Sequence, residues 1–156
     1  MKKPILQILA LLALTAAPLS AHTGNDMGPN DGRIFELESK TTPHLEVGQK
    51  DGKFVIHILG EDAKQVLPAG ERTLTITAGE RSAPEKLKVE KTGDAFTAPI
   101  PKGDKYPVVF QIREKEGAKA LTARMTYDGK ICSECKRAEW LCTCGGDEEA
   151  AAEKKK

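Results

Sequence analysis

The sequence predicts an all-β protein: an antiparallel, immunoglobulin-like (Ig-like) β-sandwich of seven or eight strands, with a short cysteine-rich metal-site appendage at its C-terminal end. Three observations predict it. Between residues 33 and 127, apolar residues alternate with polar ones in short runs, which is typical of strands that bury one face. Turn-forming residues separate the runs, and no amphipathic helix of normal length is evident before residue 130. A sandwich domain of about 100 residues has this spacing.

Each predicted strand is marked by its alternating apolar residues. In chain order these are Phe35 and Leu37; Leu45 and Val47; Phe54, Ile56 and Ile58; Leu74, Ile76 and Ala78; Leu87 and Val89; Phe96, Ala98 and Ile100; Tyr106, Val108, Phe110 and Ile112; and Leu121, Ala123, Met125 and Tyr127. Because the alternation ends at Tyr127, we expect the β-sandwich domain to cover residues 33–128 and to fold without the cysteine segment.

The first 21 residues predict an export signal. Lys2 and Lys3 precede an apolar run from Ile5 to Ala17, and small residues follow up to Ala21. The run is too short to span a bilayer. Cleavage after Ala21 fits best, which predicts a periplasmic or secreted protein with no membrane insertion once the signal is removed. Residues 22–32 are polar turn formers and predict a flexible N-terminal arm.

The charge balance argues against polyanionic partners. The chain has 24 basic residues, two of them within the predicted signal, against 23 acidic ones, so the mature chain has a net charge of −1. That balance argues against a nucleic-acid partner or an anionic membrane surface. The last residues, 147–156, are almost all Glu, Ala and Lys, a composition that predicts a disordered tail.

The candidate metal site lies in residues 129–146. All four cysteines of the chain are here, in the pattern C-x2-C-x6-C-x-C: Cys132, Cys135, Cys142 and Cys144. Two close thiol pairs on a short linker match a tetrahedral four-cysteine zinc site. Thiolates also suit Cu(I), which leaves the metal open. An oxidising compartment favours disulfides instead; because Cys142 and Cys144 are too close to pair with each other, the first pair would then bond the second.

Histidines predict a second, weaker site. After cleavage His22 becomes the first residue, and its amine and imidazole could chelate Cu(II) together with His44. His44 shares a strand face with Glu46, and the simpler interpretation is an exposed strand residue. His57, between apolar neighbours, is interpreted as a packed sheet residue.

The stretch Gly28-Pro-Asn-Asp-Gly-Arg33, followed by Pro43-His-Leu-Glu-Val47, resembles small exported bacterial β-sandwich proteins. These begin His-x-Gly, continue with Gly-Pro-Asn/His-Gly-Gly-Arg and then have a Pro-His-x-Glu strand. The resemblance covers roughly residues 22–127 and implies an association with heavy-metal efflux adaptors. Asp31 stands where the relatives have glycine, which leaves the arm less flexible than in them.

Catalytic signatures are missing from the sequence. It has no G-x-S-x-G, no H-E-x-x-H and no phosphate loop, and its thiols are clustered rather than set beside a base. We therefore predict a non-enzymatic, exported metal-binding protein, with Zn²⁺ as first choice and a role in metal handling or as an interaction module. Its partners would be the metal ion and another exported or efflux-associated protein. The alternatives are a Cu²⁺ carrier using His22, and a disulfide-stapled module without ligand.

Overall fold

A computed structural model of the chain describes residues 26–37 and 43–144. These residues form ten β-strands and one short 3₁₀ helix, η1. The strands are β1 (Arg33–Phe35), β2 (His44–Lys50), β3 (Lys53–Leu59), β4 (Val66–Leu67), β5 (Thr73–Ala78), β6 (Glu85–Lys86), β7 (Glu90–Thr92), β8 (Ala95–Pro99), β9 (Lys105–Arg113) and β10 (Leu121–Asp128), and η1 is Glu139–Leu141. In the described part of the chain, no helix has the length and apolarity needed to cross a membrane. The predicted signal, His22 and the tail 147–156 lie outside the described residues.

The strands form two antiparallel sheets, which confirms the all-β prediction. One sheet has the order β1-β2-β3-β8-β7, with β4 paired to β3, and the other has the order β10-β9-β5-β6. Apolar side chains alternate inward from both sheets: Phe54 of β3 and Phe110 of β9 are fully buried, and their ring centroids lie 6.2 Å apart, edge to face. The core is therefore the layer between the sheets, as in a β-sandwich.

The run around Leu87 and Val89 is not the single strand that its alternation predicts. Glu85–Lys86 pairs with β5 in one sheet, whereas Glu90–Thr92 pairs with β8 in the other. The chain crosses between the sheets at this point, and Leu87 is buried on the way, with its N–H donating to the carbonyl of Ile76 at 2.9 Å. This division, together with the two-residue β4, gives ten strands rather than seven or eight.

The core continues past Tyr127 into the cysteine segment. Trp140, on η1, is only 2% exposed and belongs to the main core cluster. Its ring centroid lies 5.8 Å from that of Phe54 and 6.0 Å from that of Tyr127. The segment after β10 therefore shares the core of the sandwich, contrary to the expectation that the core ends at Tyr127.

The described part of the N-terminal arm, residues 26–32, forms a turn around a buried carboxylate. Glu46 of β2 is fully buried on the outer face of its sheet, opposite the core residues Leu45 and Val47. The backbone N–H groups of Asn30 and Gly32 donate to its Oε1 at 2.7 and 3.0 Å, and the Asn30 side-chain amide donates to Oε2 at 2.8 Å. A buried carboxylate needs such donors, so the arm and β2 form one structural unit.

Candidate metal centre

The first thiol pair lies on a tight hairpin after β10. Ile131 and Ala138 form an isolated antiparallel bridge, and the N–H of Cys132 donates to the carbonyl of Arg137 at 2.8 Å. Inside this hairpin the N–H of Lys136 donates back to the carbonyl of Cys132 at 3.1 Å. The chain turns so sharply that Lys136 adopts a left-handed conformation with φ of 60°. The turn brings Cys132 and Cys135 to the same side.

The second pair is positioned by η1. This 3₁₀ turn is closed by the N–H of Cys142, which donates to the carbonyl of Glu139 at 3.1 Å, and it is held in place by the core contacts of Trp140. The chain then becomes extended at Cys142. The N–H of Cys144 donates to Sγ of Cys142 at 3.3 Å. A buried tryptophan thus fixes where the second thiol pair meets the first.

The four thiols converge on one point. Their Sγ atoms all lie within 4.8 Å of one another, and the Cys135 and Cys142 Sγ atoms are 3.7 Å apart. A tetrahedron with zinc–sulfur bonds of about 2.3 Å has sulfur–sulfur edges of about 3.8 Å. All four cysteines are free thiols, from the buried Cys132 to the exposed Cys144. The donor set and its dimensions therefore fit a tetrahedral metal ion.

The surroundings give the thiols unequal acidities. Hydrogen bonds from the backbone N–H groups of Cys135 and Glu134 lower the pKa of Cys132 to about 7. The neighbouring thiols, Cys142 first and Cys135 next, raise the pKa of Cys144 to about 12. For Cys142 the N–H of Cys144 lowers the pKa, but the thiols of Cys132 and Cys135 and the partial burial outweigh it, so the pKa is raised. A bound cation would offset this mutual repulsion of thiolates.

Of the two predicted copper ligands, His22 and His44, only His44 lies within the described residues. His44 lies at the start of β2, where its Nδ1 is 3.2 Å from the carbonyl oxygen of Gly60. His57, on β3, is half-buried and opposite Glu46 in the strand pairing. Among the described residues, the four cysteines are the one group of three or more His, Cys, Asp or Glu side chains close enough to share an ion. Since His22 lies outside the described residues, the copper site stays a prediction.

The sequence reasoning missed the two anchors that tie the arm to the cysteine segment. Asp31, with φ of 63°, accepts two hydrogen bonds from Arg137 Nη2, at 2.8 and 3.1 Å. Arg33 Nη1 donates to the carbonyl of Trp140 at 3.1 Å. The sequence analysis considered Asp31 only for the flexibility of the arm, whereas the structure shows its ion pair with the hairpin that carries the first two thiols.

No protein-family model, curated protein or solved structure matches this chain. The functional interpretation therefore depends on the geometry of the site.

Proposed function

We propose that this is an exported, non-catalytic metal-binding protein that holds one Zn²⁺ ion in its C-terminal four-cysteine site. The observation that carries the proposal is the convergence of all four Sγ atoms within 4.8 Å. Closed tetrahedral sites with four cysteine ligands and no open position are structural zinc sites. The periplasm or the extracellular space is the proposed location, on the basis of residues 1–21, and another exported or efflux-associated protein is the proposed partner.

The ion would hold together a segment that has little regular secondary structure of its own. The cysteine segment has a two-residue bridge, one 3₁₀ turn and Trp140 as its main core contact. Metal binding to such a segment contributes directly to its folding free energy. The metal would therefore stabilise the hairpin, the Trp140 anchor and the contact between Arg137 and the arm.

Two disulfides are the competing interpretation, because exported proteins meet an oxidising environment. Sulfur atoms bonded to each other lie about 2.05 Å apart, whereas Cys135 and Cys142, at 3.7 Å, have the separation of two ligands of one ion. The same four residues cannot hold the ion and form both disulfides. The two states also differ in mass, which makes them separable by experiment.

Native mass spectrometry of protein purified from the periplasm tests the proposal. We expect the mature chain plus one zinc ion, with all four thiols reduced after the metal is removed by acid. Replacement by Co²⁺ should give thiolate charge-transfer bands and the strong visible bands of a tetrahedral all-sulfur site. A variant with serine at all four cysteine positions is the matched control and should bind no ion. A mass that is four hydrogens lighter than the reduced chain, with no metal, would show the disulfide form and refute the proposal.

A further inference from the structure

A second feature lies next to the metal centre, on the outer face of the β1-β2-β3-β8-β7 sheet. A cavity of about 620 Å³ separates strands β2 and β3 from the cysteine segment. Gly48 lies in the middle of β2 and pairs with Val55 of β3, so one of the two facing positions has no side chain. We call this cavity the outer hollow; its lining includes Lys50, Val55, Ile131, Lys136, Arg137 and Leu141.

The outer hollow has an apolar wall that is open to solvent. Ile131 is 64% exposed, and within residues 26–37 and 43–144 it is the one large hydrophobic side chain with such exposure. Val55 and Leu141, both half-buried, line the same space. A single exposed apolar residue needs no explanation by itself. Here Ile131 lines a cavity together with Val55 and Leu141. The three side chains provide an apolar surface on which one large apolar side chain could pack.

The polar rim of the outer hollow is positive. Lys50 and Lys136 are exposed, and Arg137 adds a third cation. Two carboxylates also line the cavity: one is paired with a cation of the rim, and the other is buried. Asp31 is held by Arg137, and Glu46 is fully buried beneath its three hydrogen-bond donors. The charge that an incoming group meets is therefore that of the lysines.

We propose that the outer hollow is a docking site for an acidic segment of another protein that carries a large apolar side chain. The apolar side chain would pack between Ile131, Val55 and Leu141, while flanking carboxylates pair with Lys50 and Lys136. Aromatic or aliphatic anchors surrounded by complementary charge are the usual design of such sites. The inference rests on the proposed function, because Ile131 and Lys136 directly flank Cys132 and Cys135, and the bound ion would fix their positions.

Fluorescence anisotropy with a peptide panel tests the docking site. The probes are fluorophore-labelled pentapeptides with two glutamates on each side of a central Leu, Phe or Val, and the same peptides with lysine in place of glutamate. We expect the mature, zinc-loaded protein to bind at least one acidic peptide, more weakly at high salt, and none of the basic ones. The charge-reversed variant Lys50→Glu/Lys136→Glu should weaken binding about tenfold or more, and Ile131→Ser should do so by a similar factor. Lys119→Glu, at an exposed lysine that does not line the cavity, is the control and should bind as the unaltered protein does.

Three outcomes overturn the docking site: no acidic peptide binds, the variants bind as well as the unaltered protein, or binding appears only after residues 147–156 are removed. The last outcome would mean that the chain's own acidic residues 147–149 occupy the hollow. The Co²⁺ spectrum of each variant separates this inference from the metal proposal. If a docking-site variant keeps the Co²⁺ spectrum but loses peptide binding, both proposals are supported. If the unaltered protein has an intact metal site but binds no peptide, the docking site alone is overturned. Peptide binding that is equal in the variant with four serines would show that the docking site does not need the ion, and would overturn its dependence on the proposed function.

Discussion

The backbone N–H of Gly32 donates a hydrogen bond of 3.0 Å to the fully buried carboxylate of Glu46. This hydrogen bond explains why the turn of the N-terminal arm packs against β2. The turn supplies backbone N–H donors that need an acceptor, and the strand supplies a carboxylate whose burial is costly without donors.

We predict that Glu46→Ala lowers the free energy of unfolding by about 2–4 kcal/mol, because the buried N–H of Gly32 loses its acceptor and the turn loses its anchor. Glu46→Gln should have about half that effect, since the amide retains one acceptor oxygen. Chemical denaturation measures both. Glu36→Ala, at an exposed glutamate ten positions earlier, is the control and should change the free energy of unfolding by less than about 0.5 kcal/mol. Equal effects at the two positions would contradict the role given to Glu46.

Close packing of Gly32 against Glu46 gives a second prediction. A Cβ atom at position 32 would lie 2.8 Å from both Glu46 Cγ and the backbone carbon of Val47. Because the backbone of β2 cannot move away without breaking its pairing, Gly32→Ala should cost about 1–3 kcal/mol of overpacking strain. At Gly60 the nearest atom would lie 3.6 Å from such a Cβ, an ordinary contact, so Gly60→Ala should be neutral or slightly stabilising. Thermal melts of the two alanine variants should therefore differ clearly, and a coincidence of their midpoints would refute the account.

Alternating apolar residues predicted the core well, and thiol spacing predicted the cysteine cluster, because both patterns are local. Phe54, Ile56 and Ile58 face inward, as their period of two requires. The same pattern does not show which sheet a strand joins, and so the alternation at Leu87 predicts one strand where the chain crosses between the sheets.

Long-range contacts explain what the sequence reasoning missed. Glu46 has the position of an exposed strand residue, and it is buried only because a turn 14–16 residues earlier in the chain covers it. Trp140 stands in a polar, cysteine-rich segment, and its place in the core depends on contacts with Phe54 on a strand far away in the chain. Neither contact leaves a periodic signal.

The cysteine segment is predicted to be needed for full stability of the sandwich. Trp140→Ala should lower the free energy of unfolding by about 3–5 kcal/mol, because it removes a large buried ring from the core. Since small domains have about 5–15 kcal/mol in total, a chain ending at Gly129 should melt at a much lower temperature or without cooperativity. Ile131→Ala, which truncates an exposed side chain of the same segment, is the control. Serine at all four cysteine positions, with Trp140 retained, separates the loss of the ring from the loss of the metal. A chain ending at Gly129 that melts like the full mature chain would show that the sandwich core is complete without Trp140.

The left-handed conformation of Lys136 predicts a tighter metal site in a glycine variant. A residue other than glycine in this conformation costs roughly 1–2 kcal/mol, which the glycine variant would avoid. Glycine loses more conformational freedom on folding, and this reduces the gain by about 0.5–1 kcal/mol. Because metal binding is coupled to formation of the hairpin, Lys136→Gly should lower the metal dissociation constant about two- to fivefold. Competition with a chromophoric chelator measures it. Lys130→Gly, at an exposed lysine of the same segment without positive φ, should give no such gain, and equal gains at both positions would refute the strain argument.

The raised pKa of Tyr106 predicts that the protein loses stability in strong alkali. Its hydroxyl donates to the carbonyl of Pro101 at 2.9 Å, and burial, with the neighbouring Tyr127, raises its pKa to about 12. Because this pKa lies above the unfolded value near 10, the folded state holds the proton more tightly. The resulting stabilisation is complete below pH 10 and is lost as the pH rises towards 12. Denaturant unfolding between pH 9 and 12, alongside absorbance at 295 nm, should show this decline, and Tyr106→Phe should make it shallower. If Tyr106 ionises near pH 10 in the folded protein, its burial does not raise its pKa as we infer.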